Sequence, residues 1–350
     1  MPYRLPALDG IRAIAIALVV LFHARMLSGV LLPEWIELPV ASGWLGVDLF
    51  FFLSGVVLTL PYTLTTPPSP RAFFTARYIK IVPSYYLCLF VLAALCVNLT
   101  FTFNATVKDF ATHLVFIHNL FNETHDRYEV AFWSIAPEVQ FYVILPFIIG
   151  PFMRRPWLVA GAMIAVSIIW RWWAINSGSL VDLKIHELPA YLDIYAAGMV
   201  VALAYVALAR APARPYIWSI AMCAGVVGSL VLMHSMLPGS GFPNWTLPLA
   251  FNLVFRTLLG ASFACATLGA LLGVSPVRSI IGNTVMRFIA TISYNLYLWH
   301  IVVDYAIKPY IQPLNNWPMT FVIISTGVSI IIATIITFGF ERPLLKLARA

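Results

Sequence analysis

The sequence has very little charge. Asp, Glu, Lys and Arg make up only 10% of the 350 residues, whereas hydrophobic residues make up 61% and the mean hydropathy is +0.89. A water-soluble domain of this length needs far more polar surface, so an ordinary soluble protein is excluded. The net charge is +7, but the basic residues are spread along the chain at the ends of apolar segments. No nucleic-acid-binding surface is therefore predicted.

Cysteine is scarce as well. Cys88, Cys96, Cys223 and Cys265 all fall within apolar segments and lack the spacing of metal ligands, so no metal site is predicted. No small-x-small cleavage site follows the first apolar segment, which we interpret as a retained span and not a signal peptide. Neither a low-complexity tail nor an appended soluble domain is found. Residues 1–350 are expected to form a single transmembrane domain.

Long apolar runs are abundant. A transmembrane helix needs about 20 mainly apolar residues, and ten segments of the chain meet this requirement. The predicted fold is therefore all-α, a polytopic bundle of about ten transmembrane helices. The predicted spans are 8–28, 43–63, 78–103, 132–152, 157–175, 188–209, 216–236, 247–273, 282–307 and 318–340.

The distribution of basic residues predicts the orientation. If the N-terminus is cytoplasmic and the spans alternate, 14 of the 21 basic residues lie on the inner side and 6 on the outer side. Arg256 falls within a span, and the sequence does not indicate its role. The excess follows the positive-inside rule and places both termini in the cytoplasm. A multi-pass protein of the cytoplasmic membrane is predicted, with the long loop 104–131 on the outer face.

Four predicted spans each carry one ionisable residue at a similar depth in the outer half. These residues are His23, Asp48, Glu138 and His300. Ionisable groups are costly in hydrocarbon, so each is a candidate functional residue, with an interhelical ion pair or hydrogen bond as the alternative. Ser293 and Tyr297 share the helix face of His300, and these three residues and Asp48 are predicted to contact substrate.

A second charged layer lies at the inner ends of the spans. Arg12 precedes His23 by eleven residues, about three turns, so the two share one helix face and lie about 16 Å apart along the axis. Arg77 and Lys80 follow each other at i,i+3 near the start of the third span. Each cation alone could simply anchor the topology. As a cluster they would suit a phosphate-rich ligand that binds from the cytoplasm.

Several motifs stand in order along the chain, and together they resemble those of the membrane acyltransferase-3 family. They are LDGIRAIAIALVVLFHAR, GVDLFFFLSGVVLT, ARYIKIVPSYY, FWSIAPEVQFYVILP, LDIYAAGMVVA, ISYNLYLWHIVV and ERPLLKL. The resemblance implies an integral membrane enzyme of ten spans that transfers an acyl group, often acetyl, from cytoplasmic acyl-CoA. The implied acceptors are hydroxyls of glycans, lipids or small metabolites. The chain is expected to be the form without the soluble esterase-like domain that some members carry.

The resemblance also implies roles for individual residues. His23 matches the essential histidine of the family and Arg12 its paired arginine, while Glu138 matches the glutamate of the fourth-span motif. Arg77 matches the first arginine of an Arg-x-x-Arg motif, but the second position is Lys80, a point charge in place of a bidentate group. His23, as base or transient acyl carrier, and Glu138 are thus predicted to be catalytic, and the three cations to bind acyl-CoA (acetyl-CoA).

Two other classes of function fit parts of the pattern. A proton-coupled transporter or lipid flippase could use a histidine–carboxylate relay and would need no CoA. A membrane sensor or scaffold could keep the fold without chemistry, although the retained Arg12 and His23 argue against it. The predicted partners are acyl-CoA, a hydroxyl-bearing acceptor and membrane lipid, and a homo-oligomer is compatible with the sequence.

Overall fold

The computed structural model describes residues 5–64, 67–95, 106–178, 181–236, 249–314 and 317–347. These residues form helices and connecting turns and contain no strand, which confirms the all-α prediction. The α-helices are α1 (Pro6–Ser28), α2 (Glu34–Ala41), α3 (Gly46–Leu64), α4 (Pro70–Ala94), α5 (Val107–Leu114), α6 (Ile135–Arg154), α7 (Pro156–Ile175), α8 (Val181–Ile185), α9 (Leu192–Ala209), α10 (Pro215–Met236), α11 (Leu249–Leu272), α12 (Ser275–Ile281), α13 (Thr284–Ile311), α14 (Trp317–Ile336) and α15 (Arg342–Leu347).

Nine helices of the described chain are long and apolar enough to cross a membrane. They are α1, α3, α4, α6, α7, α9, α10, α11 and α14. Helix α13 is the ninth predicted span and has 28 residues, but polar side chains interrupt its apolar sequence. It packs against both α1 and α14 and so belongs to the same bundle. The polytopic all-α architecture is confirmed, and the cytoplasmic placement of the termini stays a prediction.

The start of the third span was predicted too late. Helix α4 begins at Pro70 and not near residue 78, because Ser69 caps it by accepting a hydrogen bond from Ala72 N at 3.3 Å. Proline is favoured at the first helical position, where its missing N–H costs nothing. The residues before Arg77 are therefore helical. The predicted end of this span at 103 lies outside the described residues.

A close backbone contact between α3 and α9 positions part of the site. A Cβ atom on Gly55 would lie 2.4 Å from the carbonyl oxygen of Tyr195, and one on Gly198 would lie 2.1 Å from that of Phe52. Only glycine permits this approach, which is a common way of packing helices in a membrane. The contact sets the rotation of α3, so that Ser54 points toward α6 and reaches Glu138.

Candidate active site

Helices α1 and α13 bring two histidines together. His23 Nδ1 lies 3.1 Å from His300 Nε2, and the ring centroids are 5.0 Å apart at an interplanar angle of 61°. His300 is fully buried and His23 is half-buried. Two of the four residues predicted at one depth are thus in direct contact. We refer to His23 and His300 as the histidine pair.

The backbone around the histidine pair determines which nitrogens carry hydrogen. His300 Nδ1 lies 2.7 Å from the carbonyl oxygen of Tyr297, so Nδ1 must be the protonated nitrogen and Nε2 an acceptor. His23 Nδ1 must then donate, and it also lies 2.9 Å from the carbonyl oxygen of Val19. The remaining nitrogen, His23 Nε2, therefore carries the lone pair. This is the nitrogen that could take a proton from a substrate.

Tyr297 connects the histidine pair to the start of α6. Its hydroxyl lies 2.6 Å from Ser134 Oγ and donates to the carbonyl oxygen of Ala131 at 2.9 Å. Ser293 lies one turn further from His300, and its hydroxyl donates to the carbonyl oxygen of Ala290 within the same helix. Tyr297 is thus part of the polar environment of His300, whereas the Ser293 hydroxyl only forms a hydrogen bond with the backbone of its own helix.

Glu138 lies apart from the histidine pair. Its Oε1 accepts hydrogen bonds from the hydroxyls of Tyr142 at 2.5 Å and Ser54 at 2.9 Å. The hydrogen bonds of His23 go to Val19 and His300. The predicted partnership of Glu138 with His23 is therefore not a direct hydrogen bond in the structure. His300 occupies the orienting position beside His23 instead.

Lys80 is already paired. Its amine forms an ion pair with Glu341, whose second oxygen accepts from Asn295 Nδ2 at 2.8 Å. Glu341 belongs to the ERPLLKL motif, so this pair joins two segments far apart in the sequence. A ligand phosphate would have to compete with Glu341 for Lys80, which the sequence did not indicate.

The two inner arginines are less engaged. Arg12 and Arg77 form no ion pair with any residue in the described ranges, and both are half-buried. The guanidinium of Arg77 lies 5.8 Å from the ring centroids of both Phe73 and Tyr142. Arg77 and Glu138 thus share Tyr142 as a neighbour. The pair of uncompensated guanidinium groups is the strongest feature of the inner end.

Asp48 belongs to a buried ionic network. Its Oδ1 accepts from Arg256 Nε at 2.9 Å, and Arg256 also donates to the Tyr191 hydroxyl at 3.1 Å. A second pair, Arg171 and Asp193, lies nearby with a contact of 2.6 Å. The four charges balance. The structure thus places Asp48 in the interhelical ion pair that the sequence left as the alternative, and it gives Arg256 a structural partner.

Two buried carboxyl groups near the histidine pair were not among the predicted site residues. Asp304 follows His300 by one helical turn on α13, and Glu129 lies in the loop just before α6. Both are buried. The i,i+4 spacing of His300 and Asp304 was visible in the sequence and could have indicated Asp304. The position of Glu129 depends on the fold of the loop, which no short motif reveals.

The fold and the site define a polytopic membrane protein with a histidine pair between two helices of its bundle. The sequence matches the family model described as "Acyltransferase domain", acyltransferase-3, over residues 5–338. The chain belongs to this family and is an acyltransferase. The resemblance predicted from the motifs is confirmed, and the transporter or flippase alternative is not favoured.

Three relatives illustrate the range of the similarity. "Putative membrane-bound transacylase BcsY" of Komagataeibacter xylinus is 27% identical over 84% of this chain and 71% of its own length. "Putative acetyltransferase ORF330" of Acidianus two-tailed virus is 24% identical, with 85% and 83% covered. "O-acetyltransferase OatA" of Staphylococcus aureus is 28% identical over 48% of this chain but only 29% of its own length. No solved structure matches the chain.

Proposed function

We propose that the protein transfers an acyl group, acetyl in the simplest case, from cytoplasmic acyl-CoA to a hydroxyl group reached from the outer side of the cell membrane. The acceptor would be a glycan, a lipid or a small metabolite. The observation that carries the proposal is the histidine pair, because its hydrogen bonds leave Nε2 of the half-buried His23 ring with a free lone pair. The named O-acetyltransferase among the relatives supports the reaction class.

In this proposal His23 acts as the general base. Its Nε2 takes the proton of the acceptor hydroxyl while the oxygen attacks the thioester carbonyl, and the carbon–sulfur bond breaks to release CoA as the thiolate. In the other version His23 carries the acyl group transiently on Nε2 before the acceptor attacks. His300 is a positioning residue in both versions, since it accepts from Nδ1 and so holds His23 in the required tautomer.

The donor would bind at the inner end. Arg12 lies about 16 Å from His23 along the helix axis, a distance that an extended pantetheine arm can span. Arg12 and Arg77 lack acidic partners among the described residues, so their guanidinium groups are available to the phosphates of CoA. Lys80 would contribute after exchanging Glu341 for phosphate. Glu138, held by Tyr142 and Ser54, would line the path between the two ends.

The test is CoA release by matched histidine variants. Purified protein is incubated with acetyl-CoA and envelope extract of the producing cells, and free CoA thiol is measured. His23→Gln should lower kcat by about 100- to 10,000-fold, because glutamine cannot accept the proton. The KM for acetyl-CoA should stay nearly the same. The matched control is His234→Gln, at an exposed position near the end of α10, which should leave both parameters unchanged.

The measurement also separates catalysis from scaffolding. If His23 only joined helices, His23→Gln would lower the melting temperature slightly and leave kcat within a few-fold of the wild type. That result would refute the proposal. Mass spectrometry of envelope material from cells with and without the protein would then identify the acylated product.

A further inference from the structure

Two carboxyl groups near the histidine pair lack the partners that buried charges normally have. Asp304 is 1% exposed; the Ser325 hydroxyl lies close to it, but neither carboxyl oxygen has a partner at hydrogen-bond geometry. Glu129 is fully buried; its Oε1 accepts from Ala131 N at 2.9 Å, and its Oε2 has no partner. Buried polar groups of native proteins are nearly always satisfied, so three unpaired carboxyl oxygens in one region require an explanation.

The described residues around this carboxyl pair, Asp304 and Glu129, provide no cation in an ion pair with either group. No lysine or arginine within the described ranges forms an ion pair with either group. The nearby titratable or polar groups of the neighbouring helices are uncharged hydroxyls and a thiol. They belong to Tyr85, Cys88, Tyr297, Tyr305 and Ser325. A structural ion pair, such as that of Asp48, therefore does not account for the carboxyl pair.

The carboxyl pair extends the histidine pair toward one end of the bundle. Asp304 follows His300 at i+4, so the two residues lie on the same face of α13 with Cβ atoms about 5–6 Å apart. Tyr297, one turn before His300, reaches the carbonyl oxygen of Ala131, two residues after Glu129. The loop that carries Glu129 is the one predicted to lie outside. Asp304 thus adjoins His300 along α13, and Glu129 adjoins the contact of Tyr297 with Ala131.

We propose that Asp304 and Glu129 conduct the catalytic proton between the histidine pair and the outer face of the membrane. This inference rests on the proposed function of His23. The proton of the acceptor hydroxyl binds His23 Nε2, and His23 Nδ1 passes its own proton to His300 Nε2. His300 Nδ1 then releases its proton to a carboxylate oxygen of Asp304 when the ring turns away from the carbonyl oxygen of Tyr297, and the proton leaves through Glu129 to the outer solvent. The electrons of the broken O–H bond form the new ester bond. The electrons of the C–S bond leave with the CoA thiolate, which takes a proton from water on the inner side.

The protonation state of Glu129 supports this role. Burial, with a smaller contribution from the nearby charge of Asp304, raises the pKa of Glu129 to about 8. Two adjacent buried carboxyl groups that share one proton are able both to accept and to release a proton near neutral pH. Such a pair would return to its starting state after each turnover without a change in the fold.

The test compares isosteric variants of the carboxyl pair. In Asp304→Asn and Glu129→Gln, kcat for CoA release from acetyl-CoA in the presence of envelope extract should fall about tenfold or more. The KM for acetyl-CoA should not change, and the solvent deuterium isotope effect on kcat should rise because proton transfer becomes rate-limiting. Formate, a small weak acid, should partly restore Asp304→Ala. The matched control is Glu187→Gln, a buried carboxyl group paired with Lys184 at 2.7 Å, which should keep the wild-type kcat and isotope effect.

The outcomes distinguish this inference from the proposed function. Wild-type kcat in Asp304→Asn, together with an inactive His23→Gln, would overturn the proton route and leave the acyl transfer standing. A near-normal His23→Gln would overturn the acyl-transfer mechanism itself. A loss of kcat with no change in the isotope effect and no rescue by formate would make the carboxyl pair structural and would also overturn the route. If Asp304→Asn does not fold, kcat and the solvent isotope effect of Glu129→Gln decide between these outcomes.

Discussion

The ionic network around Asp48 makes a quantitative prediction about stability. Asp48 and Arg256 have side chains only 3% and 8% exposed, and they are joined by a contact of 2.9 Å. Asp48→Asn keeps the shape of the side chain but leaves the Arg256 guanidinium with only part of its compensation, from Asp193. Removing one partner of a buried pair costs about 3–5 kcal/mol. At about 2–4 °C per kcal/mol, the melting temperature should fall by roughly 6–20 °C.

The double variant Asp48→Leu/Arg256→Met tests the same ion pair by removing both charges. Replacing both partners of a buried pair by apolar residues of similar volume is often neutral or stabilising. The double variant should therefore recover most of the melting temperature lost in Asp48→Asn. Thermal unfolding of the purified proteins in detergent measures both quantities, and CoA release from acetyl-CoA in the presence of envelope extract, measured on the same samples, reports function.

The opposite pattern would refute this reasoning. If Asp48 contacts the substrate, Asp48→Asn would keep the wild-type melting temperature and lose turnover, and the double variant would remain inactive. A wild-type melting temperature for Asp48→Asn with normal turnover would show that Arg256 needs no compensation from Asp48. Either result would contradict the assignment of Asp48 to a structural ion pair.

Two further predictions concern the inner end and the outer loop. Arg12→Ala should raise the KM for acetyl-CoA about 10- to 100-fold, because it removes one charge-assisted contact of about 1.5–3 kcal/mol. Lys80→Met should raise the KM less, because Lys80 is already paired with Glu341. An equal KM for Arg12→Ala and the wild type would contradict the donor site. Burial lowers the pKa of His113 in the outer loop to about 4, so its neutral form stabilises the fold fully above about pH 6.5. The protection factors of the α5 amides, which compare each exchange rate with the intrinsic rate at the same pH, should therefore fall as the pH drops from about 6.5 toward 4, and should not do so in His113→Phe.

The number and order of the helices could be predicted from the sequence because hydrophobicity and length alone determine a membrane span. The depth of each polar residue follows in the same way, since every residue advances the helix by about 1.5 Å. His23 and His300 were assigned to the same layer on this basis, and the structure brings them into contact. Helix starts were less predictable, as the Ser69 cap of α4 shows.

The rotation of each helix about its axis could not be predicted from the sequence. This rotation decides which residues each buried polar side chain contacts. Asp48 and His300 lie at similar predicted depths, yet Asp48 faces Arg256 on α11 while His300 faces α1. The rotation depends on contacts between helices, such as the glycine contact between α3 and α9, which a single sequence does not reveal. Glu138 likewise shares the predicted layer of His23, but α6 turns it toward Ser54 and Tyr142.

The buried ionisable residues fall into two sets, which differ in whether each residue has a partner of opposite charge. Arg171, Asp193, Asp48 and Arg256 neutralise one another, so they contribute no net charge and are fixed in place by short contacts. His23, His300, Asp304 and Glu129 have no such partners in the described part of the chain and meet mainly backbone, hydroxyls or one another. A nearby opposite charge shifts the pKa of a buried group toward its charged form, so a carboxyl group without such a partner is protonated more readily near neutral pH. The second set, which lacks this compensation, therefore suits the proposed proton transfer better than the ionic network does.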